Sequence, residues 1–458
     1  MIFLITVLGV AWIFRIIHNI VAFIQLWWVK EWRFDRMRIH LRTDQGKKLY
    51  FLPYRGLKIS PKTILFCIMT FISELLIYFA LPFHPLWRLF ILDLLSFPLI
   101  GLFVFIVSIP QYFYHQWIIG KATEKIRAHK NLFVIGITGS YGKTSTKEYL
   151  ATILSSKFNA LKTEKSQNSL IGIAEVILRK LQSEHEIFVV EMGAYKRGEI
   201  AEMVRMVRPQ IGIITAINEQ HQDLFGTIEN TMKAKYELLA GLTGKRIAVM
   251  NNDNAYVKTM IGWAKKDKLD VREVQITSIV QKPEGISFRL NSIRVYAPVV
   301  GIHQAHNISL AITTAVAAGM SLADAAKTVE KITPIDRMMK PIEGINGSTF
   351  IDDTFNNNPD AAMAALDYLA TTKGKKILVF QPMIELGAYA QSVHARVGKR
   401  AAEVCDAIIL TNKNYLKFFP GNVYEPKEAS EYIRKIVVSG DTVLFKGKEA
   451  LKILNELV

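Results

Sequence analysis

Residues 132–146 read Leu-Phe-Val-Ile-Gly-Ile-Thr-Gly-Ser-Tyr-Gly-Lys-Thr-Ser-Thr, an apolar run that gives way through Gly136, Gly139 and Gly142 to small and polar residues. The run predicts a buried strand over Leu132–Ile137, the stretch Thr144–Ser156 predicts a helix, and the glycines place a tight turn between them. Such a turn lets backbone N–H groups approach a polyphosphate, and the helix N-terminus adds positive potential. Lys143 reaches the outer phosphates and the Thr144 hydroxyl can ligate Mg²⁺. Thr138, Gly139, Ser140, Gly142, Lys143, Thr144 and Ser145 are therefore the candidate ATP contacts. One spacing departs from the usual phosphate loop: the glycine expected five residues before the Gly-Lys pair is Ile137, with Gly136 one place earlier. A glycine-rich turn before an ordinary helix is the bland alternative.

Outward from this segment the chain after Lys121 alternates short β-branched runs with helix-length stretches, the pattern of a parallel α/β sheet. Strands are expected at Leu132–Ile137, Ile187–Glu191, Ile211–Ile217 and Arg246–Met250. A second series is expected at Thr349–Ile351, Lys376–Phe380, Ala407–Leu410 and Thr442–Phe445. Thr333-Pro334 interrupts the helical stretch Leu322–Lys331, so a central α/β domain over 122–335 and a smaller Rossmann-like α/β domain over 336–458 are expected.

The chain has 458 residues, 57 Lys+Arg against 40 Asp+Glu, and 50% hydrophobic content, which excludes a disordered or disulfide-stapled protein. Cys67 and Cys405 show no paired metal-site spacing. Apolar runs at 1–29, Thr63–Phe83 and Leu86–Ile119 each supply the length that spans a bilayer, so residues 1–121 are expected to form about three transmembrane helices. Arg15, His18, Asn19, Glu74 and Asp93 interrupt them, and two spans remain the alternative count. The intervening loop 30–62 holds ten Lys/Arg against Glu31, Asp35 and Asp44. That asymmetry places the loop and everything after Lys121 in the cytoplasm and assigns much of the net charge of +17 to anionic membrane lipids. Nucleic acid is not an expected partner.

The displaced glycine, in the form Gly-x-Thr-Gly-x-x-Gly-Lys-Thr-Ser-Thr, resembles the ATP loop of the Mur ligase family, and Lys147-Glu148 extends the likeness toward its D-alanyl-D-alanine-adding branch. Glu191-Met-Gly-Ala194 with Gly198-Glu-Ile200, Asn218 with His221, Phe225-Gly226, Ala234-Lys-x-Glu237 and Asn251–Asp253 follow in that family's order. His306-Asn307, Arg337, the Ile351–Asp360 segment, Met383-x-Glu-Leu-Gly387 and His394 continue it, so the resemblance covers residues 132 to about 400.

The resemblance implies an ATP-dependent, amide-forming ligase of peptidoglycan biosynthesis: ATP phosphorylates an acceptor carboxylate, and an amino acid or dipeptide amine displaces the phosphate. It implies ATP and two Mg²⁺ ions. Thr144, Glu191 and His221 would be metal residues, with Lys143, His221 and Lys235 catalytic and Lys235 open to carbamylation. Asn251 and Asn307 would lie on the adenine side, Arg337 and Asp353 would reach ATP from the C-terminal domain, and Asn168, Ser169, Asn356 and Asn358 would bind substrate. For Asn251 and Asp353 a turn-forming role is the alternative. Phe355 and Asn357 replace the family's tyrosine and alanine. Membrane spans also stand where the family carries a domain for a nucleotide-linked acceptor, so a lipid-linked carboxylate acceptor is one expectation. A poly-γ-glutamate-synthase-like polymerase and a non-catalytic ATP-binding module of an envelope complex are the competing readings.

Overall fold

The computed structural model describes residues 2–41, 44–51, 56–164, 167–218, 225–384 and 386–458, with side chains described at all of these except 2–4, 39, 44 and 45. The chain divides into two compact units, Met1–Trp117 and Ile118–Val458.

Among the described residues three helices are long and apolar enough to cross a membrane, within Ile2–Val29, Pro61–Ala80 and Pro85–Ala128. The last runs nine residues past the expected Ile119, because its polar continuation Lys121–Ala128 keeps helical periodicity. Ser60 starts the second with a capping box closed by Thr63. A short helix, Phe34–Leu41, follows the first. Arg15 and Asn19 both bond Asp93 (Nε–Oδ2 2.8 Å, Nδ2–Oδ1 2.7 Å), which matches a buried carboxylate with a charge and a donor inside an apolar bundle. Both cysteines are free thiols.

In the second unit β1 (Phe133–Thr138), β2 (Ala160–Lys162), β3 (Ile187–Glu191), β4 (Ile211–Ile214), β5 (Ile247–Asn251) and β6 (Asp270–Val274) form one sheet in the order β2-β3-β1-β4-β5-β6. Every pairing is parallel. Strands β3, β4 and β5 are buried throughout, as a sheet covered by helices on both faces requires. From β1 the chain winds first to one side and then to the other, so the crevice beyond the carboxyl end of β1 is a topological switch point, where ligands of open α/β sheets bind. A three-stranded antiparallel sheet, β7 (Ile276–Lys282), β8 (Gly285–Leu290) and β9 (Ile293–Ala297), follows.

The remaining strands, β10 (Lys340–Glu343), β11 (Thr349–Asp353), β12 (Lys376–Phe380), β13 (Ala407–Leu410), β14 (Asn422–Val423) and β15 (Thr442–Lys446), order as β10-β11-β15-β12-β13-β14. This sheet is mixed, since β10 runs antiparallel to β11. Register puts Asp353 of β11 beside Lys446 of β15, and each expected strand of this series is present.

Candidate functional site

The phosphate loop lies at the switch point. Its fold is dictated by close approach: a Cβ on Gly139 would stand 2.0 Å from Thr215 Oγ1 of the chain following β4, and one on Gly142 would stand 2.4 Å from Asn307 Oδ1. Gly142 also has φ +79°, a left-handed value that a side chain disfavours. Helix Lys143–Leu154 starts directly after it and packs against helix Ile302–Ala317, which carries Asn307. The Lys143 ammonium donates to the carbonyl oxygens of Gly139 (2.7 Å) and Ser140 (2.9 Å), so its charge sits within the loop. Burial lowers its pKa, and Glu191 opposes part of that shift.

Glu191 is the centre of the cluster. It ends β3 at 1% exposure, register-paired with Ile137 of β1. Its Oε1 accepts from Thr144 Oγ1 (3.2 Å) and Asn168 Nδ2 (3.0 Å). Its Oε2 accepts no hydrogen bond and lies 3.3 Å from Lys147 Nζ, whose side chain is fully buried. A buried carboxylate with the Thr144 hydroxyl on one oxygen, the Lys147 ammonium 3.3 Å from the other and the phosphate loop adjacent offers hard oxygen donors, so Thr144 and Glu191 fit Mg²⁺. Among the described residues no three His, Cys, Asp or Glu side chains gather as a metal cage. His221 lies outside the described residues, as does Glu385 of the Met383–Gly387 motif.

Lys235 sits on helix Ile228–Ala240 at 3% exposure, its ammonium 5.6 Å from the Phe225 ring centroid. Burial, helped by repulsion from Lys143, lowers its pKa to about 7 against the pull of Glu199 and Glu237. Glu237 is itself occupied: its two oxygens accept from Gly198 N (2.8 Å) and Ala201 N (3.1 Å), satisfying the start of helix Glu199–Val207.

The other expected site residues divide by what their side chains hold. Thr138 donates to Met192 O (2.8 Å), Ser140 Oγ accepts from Asn218 N (3.3 Å), and Ser145 donates to Met338 Sδ (3.5 Å). Asn307 is buried and lies 3.4 Å from Thr146 Oγ1, with its amide on Gln304. Asn251 closes a turn, accepting from Asp253 N at 3.1 Å, which is the turn-forming alternative. Ser169 caps helix Leu170–Lys180. Arg337 bonds the hydroxyl and carbonyl oxygens of Thr354 through Nε (2.9 Å) and Nη2 (2.8 Å), and Asp353 pairs with Lys446 in a buried ion pair, so both side chains are engaged by C-terminal residues. Burial raises the Asp353 carboxyl, and Lys446 offsets part of that. Asn356 bonds only its neighbour's N–H among the described contacts, whereas Asn358 caps helix Pro359–Ala370 and, with Asp360, accepts from Asn218 Nδ2 (3.3 and 2.9 Å). That bridge ties the C-terminal segment to the phosphate-loop side.

Sequence reasoning assigned no role to Lys147 or Lys446. Lys147 had a signal, lying one helical turn after Lys143 and hence on the same face. Lys446 had none, because its partner is 93 residues away and set by strand register. His394 is structural: it is fully buried, accepts from Met383 N (2.9 Å) and stacks on Tyr415 at 3.9 Å.

Comparison with known proteins bears on this geometry. Residues 137–315 match the Mur ligase middle domain and residues 337–449 the Mur ligase, glutamate ligase domain. The UDP-N-acetylmuramoyl-tripeptide–D-alanyl-D-alanine ligase of Escherichia coli is 32% identical over 294 residues, 62% of this chain and 65% of that protein, so the chain spans somewhat under two thirds of that relative's length. The crystal structure of MurF from Acinetobacter baumannii superposes with a TM-score of 0.70 at 26% identity, covering 75% of this chain and 80% of that one. MurF ligase from Thermotoga maritima in complex with ADP, at 22% identity, shares the fold with a TM-score of 0.68 over 75% of this chain and 83% of that one. With both models matched in order over the α/β unit, the chain belongs to the Mur ligase family.

Proposed function

We propose that the protein is a membrane-anchored, ATP-dependent carboxylate–amine ligase of the MurF kind, acting on a peptidoglycan-type precursor. The observation that carries this reading is the convergence of Lys143, Thr144, Asn168 and Lys147 on the phosphate loop and the buried Glu191 carboxylate. In the reaction, an acceptor carboxylate oxygen attacks the γ-phosphorus of ATP, ADP leaves, and an acyl phosphate forms. The amine of an amino acid or dipeptide then attacks the acyl carbon, inorganic phosphate leaves, and the nitrogen gives up a proton, yielding the amide. Lys143 and the loop N–H groups offset the repulsion between carboxylate and phosphate. Mg²⁺ held by Thr144 and Glu191 would supply further charge neutralisation. Lys147 fixes the orientation of Glu191, and Asn168 does so from the acceptor side. Asn307 and Asn251 border the nucleotide, and the Asn218 bridge to Asn358 and Asp360 seats the C-terminal domain, from which Arg337 and Asp353 would reach ATP only after rearrangement.

A lysine with a pKa of about 7 is half neutral at that pH, and a neutral amine is what attacks CO₂. Carbamylation of Lys235 follows chemically, replacing a buried cation with an anion able to support a second Mg²⁺. Residues 1–121 would anchor the chain as a multi-pass segment, with 122–335 and 336–458 as ATP-binding and C-terminal domains in the cytoplasm. Three apolar helices and the basic loop between the first two support that placement.

The test is phosphate release by the detergent-purified full chain with ATP, Mg²⁺, D-alanyl-D-alanine and a muramyl-tripeptide acceptor, with mass spectrometry of products. An amide product formed in step with phosphate supports the ligase; phosphate release without amide from any acceptor contradicts it.

A further inference from the structure

We propose that the membrane unit seats the hydrocarbon chain of an acceptor linked to its lipid through phosphate or pyrophosphate, in an aromatic groove where Arg38 meets the phosphate. This deepens the ligase reading and rests on it for the word acceptor.

A cavity of about 670 Å³ lies among helices Ile2–Val29, Phe34–Leu41 and Pro85–Ala128, lined by Trp27, Phe34, Phe97, Gly101 and Phe105 with Arg38 as its charged member. Its walls have a covalent origin. Pro98 sits inside the long helix and cannot donate to the carbonyl one turn back, at Leu94; the Tyr50 hydroxyl donates to that carbonyl instead (2.7 Å). The helix thus runs through Pro98 with the freed carbonyl satisfied from outside. Gly101, one turn along, presents no side chain, and a Cβ there would stand 3.7 Å from Trp27 Cζ2, so the indole forms the floor. Trp27 is fixed by Phe34 (edge-on, centroids 4.9 Å) and by Phe97 (stacked, 6.3 Å). Such a surface is apolar, rigid and shaped for a chain rather than a polar group.

Charge selects the head. In the short helix Phe34–Leu41, Phe34, Met37 and Leu41 follow helical spacing into the groove and bring Arg38 to it. Arg33 is held by Asp35 (2.6 Å) and Arg36 by Glu31 (2.8 Å), whereas Arg38 is exposed and has no acidic partner among the described residues. A guanidinium beside an apolar groove complements a phosphate at the end of a hydrocarbon chain, which its planar fork can meet through two N–H groups.

The experiment uses the full chain in nanodiscs. A muramyl tripeptide joined through pyrophosphate to a polyisoprenyl chain is compared with the same tripeptide on uridine diphosphate, for the unaltered protein, Gly101→Trp and Arg38→Gln. The expected result is a drop of about tenfold in kcat/KM for the lipid-linked acceptor in each variant and no change for the nucleotide-linked one. Equal loss with both acceptors, no loss with either, or ligation of the nucleotide-linked acceptor alone overturns the proposal. A diazirine-bearing polyisoprenyl pyrophosphate gives a readout independent of ligation. It should crosslink at 27–41 and 97–105, lose that crosslink in Gly101→Trp, and be displaced by polyisoprenyl pyrophosphate but not by phosphatidylglycerol. Scattered labelling, or equal displacement by phosphatidylglycerol, contradicts the groove. If neither acceptor yields amide, the ligase reading falls and the crosslink still decides the groove.

Discussion

Two segments of the α/β unit stand at the carboxyl ends of parallel strands, and their side chains are used differently. After β1, polar groups converge on one centre: Thr144 and Lys147 after the phosphate loop, with Asn168, all address Glu191, whose Oε2 lies 3.3 Å from the Lys147 ammonium and accepts no hydrogen bond. After β11, most side chains of 353–358 are engaged by C-terminal residues, although Asn357 Oδ1 is buried without a hydrogen-bond partner. Asn356 bonds Asn357 N, Asn357 bonds Gln381 O (2.6 Å), Asn358 caps a helix, and Asp353 is matched by Lys446. On the proposed reading the first segment receives a ligand, whereas the second is braced by Lys446 and Gln381 and, among the described residues, reaches across through Asn358 and Asp360 to Asn218. Equally dense motifs in sequence can thus encode a ligand cradle or a folding element.

Substitutions can break this contrast. Lys143→Ala should lower ATP-dependent turnover by about 10³-fold, the scale for removing a group that meets developing charge, with the melting midpoint nearly unchanged. Lys446→Met should do the reverse, leaving Asp353 buried without its cation at a cost of about 3–5 kcal/mol; chemical denaturation followed by circular dichroism reads it, and an unchanged midpoint would mean that the pair braces nothing. Glu191→Gln should raise the Mg²⁺ needed for half-maximal turnover by about 10–100-fold, by analogy with the cost of disturbing a metal's supporting groups.

Lys235 sharpens the comparison through pH. Its folded pKa of about 7 lies below the unfolded value of ~10.4, so between them the unfolded chain binds the proton that the folded chain does not. Its contribution to stability therefore rises with pH across that window and is lost as pH falls toward 7. Turnover that depends on the neutral amine should climb through pH 7 and fall when CO₂ is stripped from the buffer; Lys235→Arg should flatten both responses. The smallest effect is expected from Asn356→Ala, within about 0.5 kcal/mol of the parent, because its side chain holds only the next residue's N–H. A large loss of turnover there would give the second segment a ligand role.

Most of the central sheet was legible because β1, β3, β4 and β5 are nearly continuous apolar runs, which burial on both faces demands. The antiparallel sheet β7–β9 escaped because its strands lack a continuous apolar run and carry Lys282, Arg289 and Arg294. The edge strand β6 exposes Asp270, Arg272 and Glu273 and reads as loop. In the site, the loop and Glu191 announce themselves by spacing from a strand end. Lys446 and the Asn218 bridge depend on pairings between distant residues, which no local pattern carries. The side chains of Asn251 and Arg337 are engaged in a turn and in local bonds, which spacing alone does not reveal.

The central claim is tested most directly by placing a heavy-oxygen label in the acceptor's carboxylate and following it through one turnover with ATP, Mg²⁺ and the amine. An acyl-phosphate route at this loop predicts one labelled oxygen carried into the released inorganic phosphate for each amide formed. Phosphate that emerges unlabelled while amide forms, or an amide that forms equally well with Lys143→Ala, would contradict it.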